Sequence, residues 1–250
     1  MTSTPLISII TVVYNAESLI EKTIQSILGQ TYTNIESLVI DGKSKDNTLQ
    51  FIQRFEDNRV RIISEPDKGI YDAMNKGMAN AKGDYIIFIN AGDEFYAVDT
   101  LSTTINSASN ADVYYGNTAV INSNGEILGD RRLFPPDDLN WRSLRYGMCV
   151  SHQSLLVKKS IAPVYDLGYK ISADIDWVIR TLQNAQTIVN THNYISRFLE
   201  GGVSSSRRKL ALKERFSIMK KHYGLLQTLW GHLYITLRFI KHRLTKKSMT

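Results

Sequence analysis

Four short apolar runs open the chain, and the segments between them carry apolar residues at three- and four-residue steps. Residues 6–13 (LISIITVV), 35–40, 59–64 and 85–89 (YIIFI) have strand length. The first and last are apolar almost throughout, as strands covered on both faces must be. Ile70, Ala73, Met74, Gly77, Met78 and Ala81 share one helical face, which predicts an amphipathic helix over 69–81. Leu49, Ile52 and Phe55 mark an earlier helix, and Ser18 followed by Glu21 has the form of a capping box at the start of another. Strands alternating with helices at this spacing predict an α/β fold with a doubly wound, mostly parallel sheet.

Three of the four predicted strands end in a polar cluster. Tyr14-Asn15-Ala16-Glu17 follows the first, 41–48 (DGKSKDNT) the second, and Asn90-Ala91-Gly92-Asp93 the fourth. Ligands of open α/β sheets sit outside the carboxyl ends of strands, so the outline is that of a nucleotide site. Asp93, delivered by two small residues, is placed to hold a cation on a diphosphate or to cap a turn. Further on, the predicted helix 173–182 (ADIDWVIRTL) begins with Asp174 and Asp176. Two residues apart on a helix they point in different directions, so only one can face a given reacting group.

The ordered set TVVYNAE, IDGKSKDNT, EPDKGIYDAMNKG and INAGD resembles glycosyltransferase family 2. Each motif alone is weak, but together, in this order, they are specific over about the first hundred residues. The likeness continues less sharply through His152-Gln153, 172–177 (SADIDW) and 201–204 (GGVS). It implies a GT-A fold and a likeness to small bacterial enzymes that build O-antigen, capsule or exopolysaccharide repeats. Residue by residue, it implies that Asp93 is the cation ligand and that Thr11, Tyr14, Asn15 and Glu17 wall the nucleotide. Asp41 would accept from the imino N–H of uracil, thymine or guanine, and Lys68 would meet phosphate. Gly92 stands where the family commonly has an acid that contacts ribose. Asp174 matches the second acid of a paired motif whose glutamate is replaced by Ala173, and would be the general base, leaving Asp176 to cap or pair. His152 lines the acceptor side or is a satisfied buried histidine. Gly202, Ser204 and Arg207 belong to a loop able to close over diphosphate, or to ordinary turns.

Composition agrees with one α/β domain and an appendage. The 250 residues contain a single cysteine, Cys149, which excludes an intrachain disulfide and suits a reducing compartment. The N-terminus lacks the basic region of a signal peptide. Charge is unevenly spread: 12 of the 30 Lys and Arg residues stand from Arg207 onward, against one acid, Glu214. Leu226, Leu229, Trp230, Leu233, Leu237, Ile240 and Leu244 form a stripe within this basic segment. Its longest stretch free of Lys and Arg, 16 residues from His222 to Leu237, is too short and too polar for a membrane span. An interfacial helix on anionic lipid, or a helix packed on the body with a solvated basic face, accounts for it. No motif for nucleic acid accompanies the charge.

These observations lead to a division into a nucleotide-sugar half (1–105), an acceptor half (106–206) and a basic helical tail (207–250). The expected activity is inverting transfer from a nucleoside diphosphate sugar, UDP-linked by preference, with Mg²⁺ or Mn²⁺. The expected acceptor is a lipid-linked saccharide, met by a cytoplasmic enzyme peripheral to the inner face of the plasma membrane. A nucleotidyltransferase is disfavoured, because Tyr14-Asn15-Ala16-Glu17 is not a Gly-rich, Arg-containing loop. A catalytically inactive scaffold is the other alternative, motivated by Gly92 and Ala173.

Overall fold

The computed structural model describes residues 4–201 and 207–247, with 239–247 described as backbone. Strand β1 (Ile7–Val13) lies in the middle of a mixed sheet. It pairs in parallel with β2 (Ile35–Asp41) on one side and β4 (Tyr85–Phe88) on the other, and β3 (Val60–Ser64) continues beyond β2. The strand order therefore reverses at β1, and the crevice between the ends of β1 and its two neighbours is where such sheets bind ligands. Past β4 the sheet continues through antiparallel β8 (Leu155–Lys158) to β6 (Val113–Ile121). Then come β9 (Ile188–Leu199), parallel to β6, and the two-residue β5 (Glu94–Phe95). A hairpin strand, β7 (Ile127–Asp130), lies on β6.

Alternation along the parallel strands sends side chains to two cores. Ile10, Val12, Leu38, Ile40, Ile86 and Phe88 meet α3 (Ile70–Asn80) and α5 (Ala173–Asn184). Ile7, Ile9, Val13, Val39, Ile87 and Ile89 meet α1 (Ile20–Leu28), α2 (Thr48–Gln53) and α4 (Thr100–Asn106) on the other face. This double covering is why the runs carry so few polar residues. On the first face Tyr165 stacks on Trp177 at 5.2 Å and on Tyr71 at 5.3 Å, while Phe88 meets Trp177 edge-on. These rings fasten α3 and α5 to the end of β4.

The expected capping box at Ser18 and Glu21 is not formed. Helix α1 starts at Ile20 with Leu19 before it and no side-chain cap. The amides of Leu19 and Ile20 donate instead to the Ala16 carbonyl, which closes the turn without help from a side chain.

The basic segment from Arg207 forms two helices of different standing. In α6 (Arg208–Tyr223), Ile218, Met219 and Tyr223 are buried in the core beside α5. Gly224, in the left-handed region at φ 78°, breaks the chain before α7 (Leu225–Lys247). One side of α7 rests on a short 3-10 segment, Trp141–Tyr146. There Gly231 comes so close that a Cβ would stand 2.7 Å from the Arg145 carbonyl oxygen. The opposite side carries Leu226, Leu229, Trp230, Leu233 and Leu237, all at least half exposed. Among the described residues no helix is long and apolar enough to cross a membrane.

Candidate active site at the strand ends

The loops after β1 and β2 are stitched to one another by the polar side chains that mark them in the sequence. Asn15, at φ 48°, accepts from the Lys45 amide at 2.8 Å and gives its own amide to Ser44 Oγ at 2.9 Å. Glu17 accepts from the Asn47 amide at 2.9 Å. Asp41 is fully buried and accepts from the Ser44 amide, Ser44 Oγ at 2.5 Å and Ser64 Oγ at 2.6 Å. Three of the expected nucleotide residues thus hold the shape of the pocket's wall. Tyr14 is more than half exposed at the end of β1, with its ring and the Asp67 carboxylate both against Gly42. Asp67 is a site neighbour that sequence reasoning passed over. Thr11 is fully buried in β1 with an Oγ1 that has no partner among the described residues, and Lys68 is exposed before α3.

The turn after β4 is clasped by α1. Thr23 Oγ1 accepts from the Gly92 amide and donates to the Asp93 carbonyl, both at 2.9 Å. Gly92 is left-handed at φ 96°, and a Cβ there would fall 2.7 Å from the Leu199 side chain. This turn buries the Asp93 carboxylate, where one oxygen accepts from the Leu199 amide at 3.0 Å and the other from Gln153 Nε2 at 2.9 Å. Burial pushes the Asp93 carboxyl up to about 7 against these hydrogen bonds. Gln153 is in turn held by Ser151 Oγ.

Asn90, at the start of the turn, has a buried Oδ1 with no partner among the described residues, and its Nδ2 lies 3.5 Å from His152 Nε2. His152 Nδ1 lies 3.9 Å from Asp174. Burial, reinforced by the nearby Arg131 charge, holds His152 neutral, with a pKa near 3. His152 therefore bridges the β4 turn and the first turn of α5 as a neutral ring. Asp174 keeps 22% of its side chain exposed, yet the surrounding protein raises its carboxyl to about 6. The Ile175 amide and the Arg131 charge oppose that rise.

Asp176 is wholly buried and faces away from this group. It accepts from Arg180 Nε at 2.6 Å, His222 Nε2 at 2.8 Å and Lys221 Nζ at 3.1 Å. Despite the burial penalty, His222, Arg180 and Lys221 hold its carboxyl well below the usual range. It is a tie between α5 and α6, which leaves Asp174 as the acid on the open side. Arg207 is exposed at the head of α6, and Gly202 and Ser204 lie outside the described residues.

Asp93, Asn90, His152 and Asp174 thus form one chain of neighbours across the crevice. Gln153, Arg131, Tyr71 and Glu214 complete it; Gln153 and Tyr71 lie within the family-like motifs with no role assigned there, and nothing local marks Arg131 or the part that Glu214 plays. Among the described residues no three carboxylate, histidine or cysteine groups gather to cage a metal. What is present fits a hard cation held in part by phosphate oxygens: a buried carboxylate whose pKa is pushed up, and the unpartnered Asn90 oxygen.

The profile of glycosyl transferase family 2 matches residues 8–162. An uncharacterized glycosyltransferase of Mycobacterium tuberculosis is 30% identical over 219 residues, covering 85% of this chain and 82% of its own. The Escherichia coli UDP-Glc:alpha-D-GlcNAc-diphosphoundecaprenol beta-1,3-glucosyltransferase WfgD is 27% identical over 220 residues, covering 86% and 85%. Among solved structures, S. aureus TarS 1–349 in complex with UDP superposes with a TM-score of 0.68 at 17% identity. The match covers 86% of this chain and 64% of that one. The mannosyltransferase PcManGT from Pyrobaculum calidifontis, in complex with GDP-Man and Mn²⁺, gives 0.66 at 15% identity, covering 94% and 70%. The fold is GT-A. With the family profile seated on the strands and turns that build this crevice, the chain belongs to glycosyltransferase family 2.

Proposed function

We propose that this glycosyltransferase moves a sugar, with inversion, from a UDP-sugar to a lipid-linked saccharide during surface polysaccharide synthesis. The work takes place at the cytoplasmic face of the plasma membrane. UDP is favoured by the donor in the name of WfgD and by the UDP held in TarS. The lipid-linked acceptor is favoured by the diphosphoundecaprenol in the name of WfgD and by the exposed leucine face of α7.

The observation that carries the reading is the placement of Asp174, partly open at the head of α5 and 3.9 Å from His152, while Asp176 is turned away into ion pairs. A carboxyl with a pKa near 6 is ionised at neutral pH yet basic enough to take a proton from an acceptor hydroxyl as that oxygen attacks the anomeric carbon. Asp93 and Asn90 would hold Mg²⁺ or Mn²⁺, which supplies neutralisation of the charge that develops on the leaving diphosphate. Neutral His152 separates the two carboxylates without adding charge of its own. The loops tied by Asn15, Glu17 and Asp41 keep the nucleotide wall rigid, and Tyr14 offers an open ring for the base. The test is a screen of UDP-sugars against lipid-diphosphate saccharides, with the anomeric configuration of product read by NMR. Retention of configuration, or no UDP release with any acceptor, overturns the reading.

A further inference from the structure

Four arginines from three distant parts of the chain draw together, and two of them, Arg131 and Arg215, feel the charge of Asp174. Arg131 and Arg132 follow β7, Arg215 lies in the middle of α6, and Arg238 lies in α7. Arg215 and Arg238 each bring a terminal nitrogen to 3.4 Å from the point where a Cβ on Gly147 would stand. Arg132 and Arg238 lie close enough to Arg215 to repel its charge, while Asp174 attracts both Arg131 and Arg215. Arg131 lies in a tight cleft between Leu133–Pro135 and Cys149–Ser151 that has no room for a water molecule in this conformation.

Several other half-buried arginines meet carboxylates, although Arg145 meets none among the described residues, and Arg132 of the cluster is itself exposed. Arg61 meets Glu36, Arg180 meets Asp176 and Arg197 meets Glu94. Among the described residues no carboxylate lies within 4 Å of any of the four. Arg131 Nη1 and Arg215 Nε are buried without a hydrogen-bond partner there, as are the Nε atoms of Arg61, Arg145 and Arg197; what sets the cluster apart is the gathering of several guanidinium groups with no carboxylate among them. Like charges brought together at reduced solvation cost free energy, and burial lowers the pKa of both Arg131 and Arg215. Buried donors are ordinarily satisfied. The arrangement has the form of a site whose anion comes from outside the chain.

We propose that this arginine cluster receives the diphosphate of the lipid-linked acceptor and so presents the sugar beyond it to Asp174. Guanidinium forks match phosphate oxygens two at a time, and several forks from different elements suit two linked phosphates better than one carboxylate. Helix α7 contributes Arg238 on its packed side, where Nη2 also donates to the Tyr146 carbonyl, and the row of exposed leucines on its open side. One helix therefore offers a phosphate ligand and an apolar face together, as a polyprenyl diphosphate requires. The donor's diphosphate belongs to the other end of the crevice, at Asn90 and Asp93. This inference rests on the proposed transfer to a lipid-linked acceptor.

The test compares two acceptors that carry the same saccharide, one on a lipid diphosphate and one on an uncharged alkyl glycoside. In Arg131→Gln and Arg215→Gln, the ratio of kcat/KM for the diphosphate acceptor over the glycoside should fall at least tenfold, with lysine at either position recovering part of it. Equal losses on both acceptors, or a change confined to the KM for the donor, overturns the proposal. A second arm is independent of turnover and of donor. Inorganic pyrophosphate in EDTA should raise the Tm of wild type and leave that of Arg215→Gln unmoved, and protection that survives the substitution counts against the site. In a third arm, binding to phosphatidylglycerol vesicles without acceptor should be retained in both glutamine variants. Its loss would assign the arginines to a phospholipid headgroup and overturn the proposal. If wild type transfers to neither acceptor, the proposed function fails, and the pyrophosphate arm still decides the site.

Discussion

Glu214 Oε2 accepts the backbone N–H of Ser172 at 3.0 Å, two residues before Asp174. The same carboxylate takes the amides of Lys170 at 2.8 Å and Ile171 at 2.9 Å, and Tyr71 donates to the Ile171 carbonyl at 2.7 Å. The only acid of the basic C-terminal segment is thus the peg on which the loop leading into α5 hangs. Glu214→Gln offers one acceptor oxygen where there were two and turns a donor toward donors. Turnover should fall about tenfold or more with KM for the donor little changed, since each hydrogen bond to a charged group is worth about 1.5–3 kcal/mol. A kinetic split with donor KM raised and kcat intact would refute this positioning role.

The two helix acids should fail in different ways. Asp174→Asn should lower kcat by about 10²–10⁴-fold, as loss of a positioned base does, with UDP binding and melting temperature preserved. Asp176→Asn removes the shared partner of Arg180, Lys221 and His222, two of which are partly exposed. It should cost roughly 2 kcal/mol, a Tm lower by about 4–8 °C, and only a modest part of kcat. Calorimetry and single-turnover rates on the pair separate the two effects, and the reverse ranking would exchange their roles.

A proton and a cation compete for Asp93. Its carboxyl sits near 7 in the metal-free protein, so it is mostly protonated at pH 6 and ionised at pH 8. The Tm rise produced by Mn²⁺ should be larger at pH 8 than at pH 6, and apparent Mn²⁺ affinity should weaken about tenfold per pH unit below 7. Comparing with and without Mn²⁺ at each pH cancels the other titrating groups. Separately, kcat/KM at saturating metal should fall below about pH 6 as Asp174 takes up its proton. A pH-independent Mn²⁺ shift would remove Asp93 as the ligand.

The exposed face of α7 should matter only at a surface. Leu226→Glu with Leu229→Glu and Leu233→Glu changes side chains that touch little of the body. The triple variant should lose most binding to anionic vesicles, because basic residues alone contribute about 1 kcal/mol each and are screened by salt. Its rate on a soluble short-chain acceptor should stay within twofold of wild type. Full retention on vesicles by sedimentation would show that the leucine face is not the contact. These substitutions test this better than deletion of α7, because deletion would also uncover the packed face over Trp141–Tyr146.

The parallel half of the sheet was legible in the sequence because double burial writes itself as unbroken apolar runs, and α3 because its buried face keeps helical spacing. The crevice was legible because polar clusters follow three of those runs. What the residues at those clusters do was less so. Asn15 and Glu17 bond a loop thirty residues away, a pairing that no local pattern encodes. Helix α6 hides its role for a different reason: it touches the body through Glu214, Ile218, Met219 and Tyr223, among exposed lysines and arginines, so its composition reads as a solvated tail. Arg131 is a single polar residue in an irregular stretch, and it joins the crevice only when the antiparallel half of the sheet closes behind it. The boundary drawn at Arg207 follows the charge, whereas the packing break comes at Gly224.

Gly92 has a consequence for any acid placed beside Asp93. A side chain at this position would crowd the tip of Leu199, and the strand that carries Leu199 also brings the amide that holds Asp93. Gly92→Asp would force an unfavourable backbone angle at φ 96° and oblige the tip of the Leu199 side chain to turn aside. A smaller residue at 199 would clear the space but leave the backbone angle, so the turn favours glycine on two independent grounds.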